Sequence, residues 1–262
     1  MFRVKISVPT NLFSQNIRKA IDAAMALRVH GVQINLWNEV RPAEYGETAR
    51  RQLMHYLNER ELQLASTHFP LRNPLTASER LDERIAALRE AIEFSGKLRV
   101  RTLTLRAGRI PPRDDTETYS LLQQLLSDLA SCGNLHGVQL CLIPCGDNAD
   151  ELRTLIDSIQ TGPVGVDADL AVWVMNGQPV TSQLRSLHSL VGHFEIRDAI
   201  RDVDGHGREV AVGRGEIDWD EVAALIGEME YAGWLNVDRQ EGQDRSGDAG
   251  RAVAYLRQVL RL

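Results

Sequence analysis

A chain of 262 residues, 43% hydrophobic and 25% charged, fits one α/β barrel of about 250 residues with an ordinary globular composition. Its formal net charge of −6 provides neither a basic stripe for nucleic acid nor a polybasic patch for a membrane. Residues 1–9 lack the apolar stretch and cleavage site of a signal peptide, and no run approaches about 18 apolar residues; the three cysteines, Cys132, Cys141 and Cys145, point to reduced thiols and a cytoplasmic setting.

Strand-like runs fall at 3–8, 32–36, 62–67, 101–105, 138–143, 164–169, 191–196 and 235–238. Helical periodicity fills the intervals. At 15–29 it places Ile17, Ile21, Ala24 and Met25 on one face, and at 78–94 Leu81, Ile85, Leu88 and Ile92. Alternation at about 30 residues per unit predicts parallel strands with crossover helices. Eight units close a (β/α)8 barrel. No linker or low-complexity tract interrupts the chain, and the longest polar stretch, 201–208, is only a loop's length. One domain over 1–262 is expected.

The strands are apolar on one face and polar on the other, as in Gln33 and Asn35, Asp167 and Asp169, His193 and Glu195, or Asn236 and Asp238. Period-two alternation sends the apolar set to the helices and the polar set into the barrel. A polar interior must be paired or reach water, so it should open at the strand C-termini, where barrel active sites lie. The residues expected at that mouth are His68, Arg106, Asp169, Glu195, Arg197 and Asp238. Three carboxylates, Asp169, Glu195 and Asp238, could hold Mg²⁺ or Mn²⁺, and such an ion could stabilise an enediolate. The competing expectation is that they pair with Arg106, Arg197 and Arg239 and hold no metal.

His68 is a candidate base, against a structural histidine bonded to Asn35 or Arg106. His193 lies one layer deeper and is expected to pair with Asp167. Trp37 and Trp173 are expected near the mouth, and Trp219 and Trp234 on the barrel exterior. Cys141 and Cys145 with Asp147 lack a second ligand pair for zinc. The 202–208 loop could bring Arg208 or His206 over a ligand, or be a solvated hairpin. Backbone N–H groups near Gly213 and Gly215 could bind an anion.

Five stretches carry a family resemblance. They are Gly31-Val-Gln-Ile-Asn-Leu36, Leu64-Ala-Ser-Thr-His68, Val191-Gly-His-Phe-Glu-Ile-Arg-Asp198, Val212-Gly-Arg-Gly-Glu-Ile-Asp-Trp219 and Tyr231-Ala-Gly-Trp-Leu-Asn-Val-Asp238. In this order and spacing the chain resembles the sugar phosphate isomerase/epimerase family with its xylose isomerase-like TIM barrel. The resemblance implies a metal site of Glu, Asp, His and Glu on the last four strands. Here the first falls on Ile143, Asp169 is kept, the histidine three residues after it falls on Val172, the first seventh-strand histidine is kept as His193 while the second falls on Glu195, and the last glutamate is shortened to Asp238. Two-base epimerisation is therefore not expected, because isoleucine takes no proton.

The resemblance implies an isomerase or epimerase acting on a small keto-sugar or polyol through an enediolate. His68, Asp238 and Glu195 would be catalytic, and Arg106, Arg197, Asn35, Trp37, His193 and Arg208 would bind substrate. A divalent cation would be weak or absent, and no nucleotide cofactor is expected. The alternative is a catalytically degenerate barrel that binds a sugar-like ligand or a protein partner. Abasic-site repair, known in relatives of the fold, is not expected from 7 histidines and a charge of −6. A homo-oligomer is left open.

Overall fold

The structure, a computed structural model, describes residues 4–261. Eight strands run parallel in a closed barrel: β1 (Lys5–Pro9), β2 (Gly31–Asn35), β3 (Gln63–His68), β4 (Thr102–Leu105), β5 (Gln139–Leu142), β6 (Val164–Asp169), β7 (Val191–Ile196) and β10 (Trp234–Val237), with β10 closing onto β1. They begin and end within two residues of the eight expected runs. Arg3, in the first of those runs, lies outside the described residues. A short antiparallel hairpin, β8 (Asp198–Arg201) and β9 (Gly207–Val210), leaves the barrel directly after β7. The polar 202–208 segment is thus a hairpin turn, and Arg208 is exposed on it.

The crossover helices are α1 (Ile17–Ala26), α2 (Glu47–Asn58), α3 (Leu81–Lys97), α4 (Thr116–His136), α5 (Ala149–Asp157), α6 (Leu170–Met175), α7 (Val180–Leu187), α8 (Trp219–Glu228) and α9 (Arg245–Leu260). Local chemistry fixes several ends. Asn16 and Asp244 accept first-turn N–H groups of α1 and α9, and Asn148 with Glu151 forms a capping box on α5, each satisfying donors the helix cannot. Gly137 ends α4 at φ 70°, where a side chain would strain the backbone.

The core lies between strands and helices. Ile6, Val32, Ile34, Leu103, Leu140, Val166, Phe194 and Leu235 are all fully buried, as the outward set of the alternation requires. Two register shifts adjust the inward set. Val32 and Gln33 face Leu64 and Ser66, and Val166 and Asp167 face Val191 and His193, so β3 and β7 each carry one extra residue. Such an insertion re-aims the side chains beyond it, here Ser66 with His68 and His193 with Glu195.

Trp234 does not sit outside the barrel. It shares its face with Asn236, and a Cβ on Gly31 would come 2.9 Å from its indole. The ring lies at the strand N-termini, with Lys5 Nζ 5.3 Å from its centroid. Trp173 is fully buried in α6 and does not line the cavity at the mouth. Trp219 is buried and its Nε1 donates to Asp198.

Candidate active site

A chamber of about 300 Å³ opens at the strand C-termini, lined by Asn35, His68, Arg106, Ile143, Glu195 and Asp238 among others. Asp169 and Glu195 are register partners on β6 and β7, and Asn236 of β10 is the partner of Glu195 on its other side. The expected carboxylates therefore come from neighbouring strands, but they are not equivalent.

Asp169 does not reach the chamber. It is fully buried, and its Oδ2 accepts from Arg106 at 2.9 Å and from Arg197 at 2.7 Å. Its Oδ1 accepts the backbone N–H of Val172 at 3.4 Å and caps α6. Arg197 is buried too. Its far side meets Glu209 of β9, with Nη2 3.2 Å from Oε2. Burial opposes the Arg197 charge, but Asp169 and Glu209 outweigh that penalty and hold it firmly protonated. Two charge-assisted bonds to one carboxylate oxygen satisfy a buried anion as a cation would.

The chamber's own carboxyl groups are different. Among the described residues Glu195 accepts only from Asn236 Nδ2, at 3.2 and 3.3 Å. Burial, followed by the nearby charges of Asp167, Asp238 and Asp169, pushes its carboxyl well above the usual range. Its carboxyl therefore keeps its proton to higher pH than a free glutamate does. Burial also raises Asp238, though Gln240, donating at 3.0 Å, and the charge of Arg197 moderate the shift. His68 goes the other way. Burial and then the Arg106 charge lower it to about 4, so its imidazole is neutral near pH 7. Nδ1 bonds Thr104 Oγ1 at 3.0 Å, not Asn35 or Arg106, and Nε2 has no partner among the described residues. Asn35 turns its Oδ1 back onto the N–H groups of Trp37 and Asn38.

Beneath the chamber runs a hydrogen-bonded chain. Asp167 Oδ1 lies 2.8 Å from His193 Nδ1, His193 Nε2 lies 3.1 Å from Ser66 Oγ, and Gln33 Nε2 donates to Ser66 at 3.0 Å. His193 thus pairs with Asp167 as expected and is fully buried, so it does not face substrate.

One ligand atom each of Asp167, His193 and Glu195 lies within 4.8 Å of the others, spacing compatible with a divalent cation. The donor set argues against it. Both nitrogens of His193 are engaged in the chain, and a metal ligand needs a free imidazole lone pair. The expected trio of Asp169, Glu195 and Asp238 fits no better. Asp169 spends its outward oxygen on two guanidinium groups, and Ile143 brings a hydrocarbon surface to the chamber.

Several organising residues carried no signal in the sequence reading. Glu209, buried on the hairpin, also accepts the backbone N–H groups of Gln240 and Glu241. Asp198 Oδ2 accepts from Gly213 N, Gly215 N and Trp219 Nε1. The backbone donors near Gly213 and Gly215 do bind an anion, and it is the chain's own carboxylate. Asp147 similarly closes its loop, accepting from Ile110 N and Cys145 N, and all three cysteines are free thiols. Trp37 lies outside the chamber, in an adjoining cavity, and Arg208 lines neither.

The sequence profile of the Xylose isomerase-like TIM barrel family matches residues 21–259. No curated protein matches in sequence. Solved structures of the same shape include a xylose isomerase domain protein from Planctomyces limnophilus, with TM-score 0.86, 19% identity and coverage of 98% of this chain and 97% of that one. D-psicose 3-epimerase with D-tagatose from Clostridium cellulolyticum H10 superposes with TM-score 0.80, 15% identity and coverage of 98% and 99%. A xylose isomerase-like TIM barrel protein from Mycobacterium smegmatis in complex with magnesium gives TM-score 0.80, 15% identity and coverage of 99% and 98%. With closed eightfold topology and a family profile spanning nearly its whole length, the chain belongs to the xylose isomerase-like TIM barrel family.

Proposed function

We propose that this protein isomerises a small keto-sugar or polyol-derived ketone by proton transfer through an enediolate, without a catalytic metal. The observation that carries the reading is the pairing of two raised carboxyl groups, Glu195 and Asp238, with neutral His68 and charged Arg106 around one polar chamber. Titrating groups pushed apart by their surroundings are what acid–base chemistry near neutrality needs.

Asp238 removes the proton on the carbon beside the carbonyl; the C–H electron pair forms a carbon–carbon double bond and the carbonyl π pair moves onto the oxygen. Arg106 and His68 donate to the oxygens of the resulting enediolate. Glu195, held as an acid, passes its proton to the former carbonyl oxygen and recovers one from the neighbouring hydroxyl. Asp238 returns its proton to the former carbonyl carbon, and the new carbonyl forms on its neighbour. All C–H chemistry uses one base on one face. Inverting a single carbon would require a base on the opposite face, and Ile143 supplies none. The reading therefore favours isomerisation over epimerisation.

Incubation with D-fructose in D₂O tests it. Wild type should incorporate deuterium beside the carbonyl, and Asp238→Asn should slow exchange by roughly 10²–10⁴-fold, the usual contribution of a general base. Sugar binding without exchange would instead favour a barrel that binds and does not turn over, a reading to which Ile143 also lends support.

A further inference from the structure

The chamber has a neighbour. A cavity of about 340 Å³ is lined by Trp37, Phe69, Arg72, Asn73 and Glu79, among others, and shares Pro70 and Leu71 with the chamber wall. The two are linked along the chain as well. Asn35 and His68 line the first, while Trp37, two residues beyond Asn35, and Phe69, next after His68, line the second. Each volume is at the low end of about 300–1,000 Å³ typical of ligand sites, enough for one sugar-sized group apiece.

Trp37 is 42% exposed yet held in place. Its N–H donates to Asn35 Oδ1 at 2.9 Å, its carbonyl accepts Arg41 Nε at 3.1 Å, and its ring meets Phe69 edge-on at 6.0 Å. The backbone is fixed at two points and the ring by Phe69, with the Arg41 guanidinium 6.0 Å from the ring centroid, so the exposed remainder of the indole receives an apolar face at little ordering cost. Around it stand exposed Arg72, Asn73 and Glu79, which make no side-chain hydrogen bonds or ion pairs among the described residues. Arg80 is already paired with Glu83, and Arg84 donates to backbone carbonyls, so two of the three arginines are committed and the cavity is not built as an anion trap. An aromatic platform ringed by free donors and acceptors matches a pyranose, with its C–H face and hydroxyl rim.

We infer that the substrate is a glycosylated ketose: its reacting end occupies the chamber, and a second sugar ring stacks on Trp37 in the adjoining cavity. This rests on the keto-sugar reading above and adds the second ring. The test is calorimetric titration of the full chain with D-fructose, with lactulose (a galactosyl-fructose) and with fructose 6-phosphate, for wild type, Trp37→Ala and Trp37→Phe. Lactulose should bind wild type at least tenfold more tightly than fructose. That ratio should collapse toward one in W37A and be partly kept in W37F. Fructose binding with no advantage for lactulose, an advantage that survives W37A, or an equal advantage for fructose 6-phosphate would overturn the inference while leaving the keto-sugar reading intact. Failure of all three sugars to bind would overturn both.

Discussion

Glu195 is buried at the chamber wall with Asn236 as its one donor among the described residues, and it sits near three other carboxylates. Its carboxyl is raised, so the folded state takes up a proton that the unfolded chain releases nearer 4.5. The stability that proton provides is fully present below the unfolded value and is lost as pH rises through the folded one. Glu195→Gln, which keeps an acceptor for Asn236 and removes the charge, should therefore gain thermal stability relative to wild type as pH rises from 5 to 9. Melting curves across that range check the sign. A difference that stays flat or shrinks with rising pH would mean that Glu195 is ionised in the fold.

The inward placement of Glu195 and Asp238 was legible from alternation alone, because period-two geometry leaves no other face for them. The partner of Asp169 was not. Metal and guanidinium satisfy a carboxylate equally well on paper. The choice depends on whether Arg106 and Arg197 reach the same oxygen, a matter of register and rotamer. His68 shows the same limit: its place at the mouth followed from sequence, while its bond to Thr104 depended on pairing between β3 and β4.

Among the elements, the β8–β9 hairpin ties the site together. Glu209 fastens it to Arg197 and Arg239 and to the backbone after Asp238. Gln240, held there by its N–H, is also the donor to Asp238. Removing one member of a buried ionic network strands the others, at a cost of about 3–5 kcal/mol. Glu209→Ala should lose stability on that scale in urea unfolding; a loss below about 1 kcal/mol would place the carboxylate outside the network. The sequence reading treated 201–208 as a polar loop because its charges and glycines carry no apolar period. The anchoring glutamate lies just beyond, where a single buried acid among exposed polar residues cannot be told apart by composition. The barrel strands were readable for the opposite reason: their outward faces are uniformly apolar and repeat at regular intervals.

Across the molecule, buried aspartates are bonded by the chain's own groups. Asp169 is covered by Arg106 and Arg197, Asp198 by backbone and indole N–H groups, and Asp167 is bonded to His193. Trp234 lies at the strand N-termini, at the end opposite the chamber. In the reading proposed above, fixed guanidinium groups stand at Asp169 where the resemblance implies a cation. Calorimetric titration of wild type and Asp169→Ala with Mn²⁺ puts that substitution to the most direct test. The expected result is no tight stoichiometric binding by wild type. Tight one-to-one binding that disappears in Asp169→Ala would show that the ion displaces the arginines, and would contradict the account.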